Sequence, residues 1–244
     1  MKIALCLYGQ PRNAHIKFQS IYEKIILPNN ADVFFHTWYD KEDLQIKKMT
    51  PGHEHRSLSS EINYFLLNQY KPKSYIIEKQ RRFYHRDFSI TEENFSICYP
   101  WAAGYDRNSF VKDRGVCTHS MWYSIMQSIS LKELYSHENE FTYDCVILSR
   151  FDVEPDRTIN VNDYNLSTVI TRSFDYPRNE VSDWFLITNN DNINCIGSTF
   201  NLLNVFHNSI QKSNVKIWNN ESFLRECLKL YCIKESKGNF DVVF

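Results

Sequence analysis

The sequence predicts an α/β protein of three layers with a mixed, partly parallel central sheet, and three observations carry that expectation. Short apolar runs alternate with helix-period segments through the first half of the chain. The run from Cys145 to Leu148 is continuously apolar, as in a strand covered on both faces. It breaks off into Arg150, Asp152 and Glu154, and ligands of open α/β sheets bind beyond the carboxyl ends of strands.

The elements follow in order. Lys2 to Leu7 reads as a strand, punctuated by Gly9 and Pro11. Ala14 to Ile26 reads as a helix with Ile16, Ile21, Tyr22 and Ile25 on one side and Pro28 as its stop. Ala31 to Trp38 is a second strand, and 40–56 a polar loop. Leu58 to Gln69 is helical up to Lys71-Pro72, and Ser74 to Glu78 is a third strand. The stretch 81–113 has no clean period and reads as a long irregular insertion, functional or mobile in character. Cys117 to Tyr135 carries an apolar stripe, Trp122, Ile125, Met126 and Ile129, beside a polar one, Ser120, Tyr123, Ser124 and Gln127. The polar stripe faces either water or a site. After the strand at 145–148 come strands at 168–171 and 184–188 and helices at 196–206 and 221–231. The expected organisation is one domain over 1–244.

Composition narrows the function. With 28 basic and 29 acidic residues, the chain has no charge excess for wholesale nucleic-acid binding, so no nucleic-acid partner is expected. The seven cysteines form no CxxC pair and no zinc spacing, which points to a reducing compartment. The apolar run Ile3 to Tyr8 is too short for a signal peptide, and no run reaches membrane-spanning length. A cytoplasmic protein is expected. The six glycines permit neither GxGxxG nor GxxxxGK[ST], and HExxH and GxSxG are missing as well. A nucleotide would therefore be held by side chains, a metal or a differently built loop.

Two stretches offer such chemistry. In Tyr8-Gly9-Gln10-Pro11-Arg12, Gly9 permits close backbone approach, Pro11 fixes the turn and Arg12 offers a planar fork to a diphosphate; a plain turn with a solvated Arg is the bland reading. Side chains alternate along a strand, so Phe151 and Val153 would take one face while Arg150, Asp152 and Glu154 share the other, suited to a metal-bound or phosphate ligand or to a strand-end ion cluster. A basic and aromatic stretch, Arg81-Arg82-Phe83-Tyr84-His85-Arg86, is either a solvated loop or a patch for an anionic acceptor or membrane surface.

These residues also carry a resemblance. Lys2-Ile-Ala-Leu-Cys-Leu-Tyr-Gly-Gln-Pro-Arg12 resembles the N-terminal strand and turn of small glycosyltransferase-like proteins found in bacterial surface-polysaccharide clusters and in some viruses. Ala31 to Trp38 resembles that family's second strand, Ser120 to Ile125 its central helix, and Tyr143 to Asp152 its acidic strand end. Val181-Ser-Asp-Trp-Phe185 is similar to a downstream segment in which an Asp precedes an aromatic strand. The part from about 190 to 244 is less matched.

The resemblance implies a GT-A-like fold and transfer of a sugar from a nucleotide-sugar donor to a hydroxyl of a glycan or glycolipid acceptor. It implies donor contacts from Gly9, Arg12, His36, Trp38, Arg150 and Asp152, and a general base at Asp183, with His119 as another candidate. Such enzymes usually hold Mn²⁺ or Mg²⁺ with Asp-x-Asp at a strand end. Here Arg150 stands at the first Asp, so either Asp152 and Glu154 bind the ion or Arg150 meets the diphosphate directly. Arg81, Arg82 and Arg86 would supply any peripheral membrane contact. The alternative to an enzyme is a non-catalytic nucleotide-sugar or glycan-binding module.

Overall fold

The computed structural model describes residues 1–44, 58–81, 83, 106–172, 181–212 and 220–243. Within these, the predicted α/β architecture holds. Nine strands form: β1 (Ile3–Gly9), β2 (Asp32–Trp38), β3 (Ser74–Glu78), β4 (Cys145–Arg150), β5 (Glu154–Pro155), β6 (Val169–Thr171), β7 (Phe185–Thr188), β8 (Glu235–Lys237) and β9 (Val242–Val243). Seven make one sheet in the order β3-β2-β1-β4-β7-β6-β8, and β5 pairs with β9 in a separate ribbon. β1 pairs in parallel with both β2 and β4, and β2 with β3. β7 runs antiparallel to its neighbours β4 and β6, while β8 is parallel to β6.

The period of two in the strands builds the layers. Along β1, Ile3, Leu5 and Leu7 pack into one core, with Ile21, Ile25, Ile62 and Leu66. Ala4, Cys6 and Tyr8 pack into the other, with Trp122, Ile125 and Ile129. β4 divides the same way, Cys145 and Ile147 against Val146 and Leu148. On the first face lie α1 (Ala14–Ile21) and α2 (Ile62–Tyr70); on the second lie α3 (Arg107–Glu138), α4 (Asn190–Lys212) and α5 (Asn220–Leu230). Both faces of the central strands are thus covered, which is why they read as continuous apolar runs.

Several expectations need correction. α1 passes into a π turn (Tyr22–Ile26) and a last helical turn (Leu27–Asn29), so Pro28 sits inside that turn rather than ending the helix. The buried face runs through Ala14, Lys17, Ile21 and Ile25 at ordinary helical spacing, leaving Ile16 and Tyr22 exposed. α3 begins at Arg107, so the last residues of the expected irregular insertion are helical. Residue 82 and 84–105 of that insertion, and 45–57 of the expected polar loop, lie outside the described residues. The polar stripe of α3 does not face water: Ser120, Tyr123 and Ser124 are buried alongside Trp122, Ile125 and Ile129. Even Lys132 is fully buried, donating to the Glu133 carboxylate and to the amide oxygens of Asn190 and Asn194, which ties α3 to α4.

Candidate functional site

In the order β3-β2-β1-β4, the chain leaves β1 to one side for β2 and returns on the other side for β4. That reversal makes the carboxyl edge of β1 and β4 a topological switch point, where ligands of open α/β sheets bind. Tyr8 and Arg150 are register partners across it.

On the β1 side, Gly9 has φ of +92°, a conformation that a side chain at this position would strain. A Cβ placed there would meet no heavy atom within 4 Å, so the backbone borders open space. Its N–H donates to Ser124 Oγ at 2.7 Å, and its carbonyl accepts from Thr37 Oγ1 at 2.8 Å. The following turn is closed by Arg12 N–H donating to the Gln10 carbonyl at 2.8 Å, and Arg12 Nε donates to Gln10 Oε1 at 3.2 Å. α1 then starts after Asn13, with no acidic residue in its first turn.

On the β4 side, the strand ends at Arg150 and a turn follows at Phe151-Asp152. Arg150 grips Asp152 in a fork, Nε to Oδ1 at 2.9 Å and Nη2 to Oδ2 at 2.7 Å. The Arg150 side chain remains 25% exposed, against 9% for Asp152. Burial lowers the pKa of Arg150, but the charge and hydrogen bonds of Asp152 more than offset that and leave it raised. Arg12 is lowered, first by burial and then by the like charge of Arg150, with Asp152 opposing. Both guanidiniums thus belong to one group of charges at the switch point, together with Asp152.

Asp183, just before β7, is buried, and its carbonyl accepts the Tyr8 hydroxyl at 2.5 Å. Burial raises the Tyr8 pKa well above that of an ordinary phenol, and the Asp183 charge adds to it. Asp183 also acts on Arg150. The structure therefore brings Gly9, Arg12, Arg150, Asp152 and Asp183 to one edge.

Glu154 does not join Asp152 on one strand face, because β4 stops before the turn. It lies in β5 and accepts from Lys17 Nζ at 2.9 Å. Burial pushes Glu154 up, and the bond from Lys17 leads the contributions that bring it net below the usual carboxylate range. The Mn²⁺ or Mg²⁺ site implied by the resemblance does not fit these contacts: both oxygens of Asp152 are held by Arg150, and Glu154 is held by Lys17. Among the described residues no group of three or more His, Cys, Asp or Glu gathers for a metal.

His36 and Trp38 belong to a second, closed network on the β2 side. His36 is fully buried; Nδ1 meets Ser124 Oγ at 2.7 Å and Nε2 meets Glu78 Oε1 at 2.9 Å. Glu78 accepts in addition from Arg81 Nε and Nη2 at 2.9 and 2.8 Å. Burial holds His36 below its ordinary pKa despite Glu78. For Glu78, burial pushes up, but His36 and Arg81 bring it below the carboxylate range. A neutral His36 then donates from Nε2 to Glu78, and its Nδ1 meets Ser124 Oγ, which accepts from Gly9 N–H and also reaches the His36 carbonyl as donor at 3.2 Å. Trp38, 3% exposed, stacks on Tyr123 at 5.5 Å, and Arg81 lies 4.8 Å from the Tyr123 ring centre. Trp38 Nε1 has no hydrogen-bond partner among the described residues. His119 is buried and stacks on Phe83 at 6.2 Å.

Sequence reasoning left out Tyr8, Ser124 as a linchpin, and Glu78. Ser124 had a signal, since a second periodic stripe on a helix with one apolar face already filled leaves little helix for water. Glu78 ends a strand, as Arg150 does. Of the basic stretch, Arg81 is engaged with Glu78, and Arg82 and Arg86 lie outside the described residues. Among the described residues no helix is long and apolar enough to cross a membrane. Neither a scan against protein-family models nor a search of the curated proteins finds a match to this chain.

Proposed function

We propose that this protein is a GT-A-like glycosyltransferase that moves a sugar from a nucleotide-sugar donor to a hydroxyl of a glycan or glycolipid acceptor. The observation that carries the reading is the juxtaposition of Arg12 and Arg150 at the β1/β4 switch point, beside an open backbone at Gly9. Arg150 is already paired with Asp152, and Asp183 acts on it too, so the edge is charge-balanced; a diphosphate would add its own oxygens to both guanidinium forks. The resemblance at Lys2 to Arg12 and Tyr143 to Asp152 falls on these same segments. The single reversed strand, β7, next to the strand that ends in Arg150 is also compatible with the GT-A type.

In this reading the bond between the sugar's anomeric carbon and the diphosphate oxygen breaks, its electron pair leaving with the diphosphate. Arg12 and Arg150 stabilise that developing charge. The acceptor hydroxyl oxygen bonds to the anomeric carbon, and its proton passes to the Asp183 carboxylate. Tyr8, bonded to the Asp183 carbonyl, fixes that residue's backbone relative to β1. The acceptor belongs to surface glycan or glycoconjugate synthesis.

Thermal unfolding against UDP-, GDP-, dTDP- and CMP-sugars, followed by assay of nucleotide release, tests this. A donor at about a hundred times its dissociation constant adds roughly 2.7 kcal/mol, a rise of about 5–10 °C. Such a rise with one nucleotide class, and release that increases with acceptor, is the expected result. Binding without any release would make the protein a nucleotide-sugar-binding module instead.

A further inference from the structure

We infer that the donor's diphosphate is neutralised by the guanidiniums of Arg12 and Arg150 without a divalent ion, and that Asp152 positions Arg150 rather than ligating a metal. This rests on the glycosyltransferase reading and specifies how its donor site works.

The argument begins with what the carboxylates already do. Asp152 spends both oxygens on one planar fork, a geometry that fixes the guanidinium plane as well as its place. To bind an ion it would have to release Arg150 into an edge that already holds Arg12. Glu154 would have to leave Lys17, and it stands on the separate β5–β9 ribbon, beyond the turn. What the edge offers a ligand is the Arg150 side chain, more exposed than the carboxylate that holds it, with Arg12 close enough to act on its charge and open space at Gly9. An Arg at the first position of the strand-end acidic motif therefore replaces the ion's charge as well as the carboxylate.

The test is calorimetric titration of the full chain with inorganic pyrophosphate, UDP and GDP, each in EDTA and in Mn²⁺. We expect the favoured diphosphate to bind with dissociation constants equal within about threefold in the two conditions, well inside the tenfold that one charge-assisted hydrogen bond is worth. Arg12→Met and Arg150→Met should each weaken binding in EDTA about 10- to 100-fold. Asp152→Asn keeps one acceptor for Arg150 but breaks the fork, so it should weaken pyrophosphate binding by a similar factor, up to about tenfold, in EDTA and in Mn²⁺, with an unchanged circular dichroism spectrum as the check on the fold. A loss seen in Mn²⁺ and absent in EDTA would mark Asp152 as a metal ligand and overturn the inference. Binding by the unmodified chain that fails in EDTA and returns with Mn²⁺ would overturn the inference while leaving the donor reading standing. Absence of binding by any of the three in either condition would overturn both.

Discussion

The two polar clusters at the carboxyl edge of the sheet differ in how their charges are resolved. In the β2–β3 cluster, Gly9, Ser124, His36, Glu78 and Arg81 form a chain in which each bond opposes a donor to an acceptor. In the β1–β4 cluster, Arg150 pairs with Asp152, and Arg12 and Asp183 act on the same group of charges beside open space at Gly9. A closed network such as the first holds strand ends in place, whereas charges beside open space can take up a ligand. On the proposed reading, chemistry belongs to the second cluster and support to the first, although both contain residues expected to touch the donor.

Substitutions can break that contrast. The largest effect on turnover should come from Arg150→Ala, about 100- to 1000-fold in kcat/KM, as for removal of a preorganised transition-state donor, with the apo fold retained by circular dichroism. Ser124→Ala should act the other way round. It strips partners from buried Gly9 and His36, costing about 1–3 kcal/mol, and lowers Tm by several degrees while donor affinity changes little. Glu154→Gln should cost about 1–2 kcal/mol through the partly buried Lys17 pair and leave diphosphate binding in EDTA intact.

The smallest effect is in pH. His36 is held below the ordinary histidine value of about 6.5, so the unfolded chain takes up its proton first as pH falls. Stability from His36 is therefore full above about 6.5 and declines as pH drops below it. The depressed carboxyl of Glu78 adds a further loss at lower pH, below the ordinary carboxylate range. Tm measured between pH 8 and pH 5 should fall on acidification, and His36→Gln should flatten the upper part of that fall. A Tm that rises on acidification would contradict the neutral assignment of His36.

Much of this was legible in the chain. Apolar runs marked the central strands because both faces are covered, and Gly9-Gln10-Pro11-Arg12 and Arg150 stood out as strand-end chemistry. What the sequence hid depends on tertiary partners. The alternation that grouped Glu154 with Asp152 assumes an unbroken strand, whereas the chain turns at Phe151-Asp152 and Lys17, far away in sequence, takes Glu154. The buried face of α1 runs through Ala14, Lys17, Ile21 and Ile25, taking in a lysine, so the apolar Ile16 and Tyr22 looked like core and are not. Ser124 looked like surface because polarity on a helix usually means water, yet here it means a buried bond to His36 and Gly9.

The most direct measurement compares the two clusters in a single assay: diphosphate affinity, by calorimetry in EDTA, of the unmodified chain, Arg150→Met and His36→Gln. A loss of about 10- to 100-fold confined to Arg150→Met is the result predicted here. Equal losses in both variants, or a loss confined to His36→Gln, would contradict it and move the ligand to the β2–β3 side.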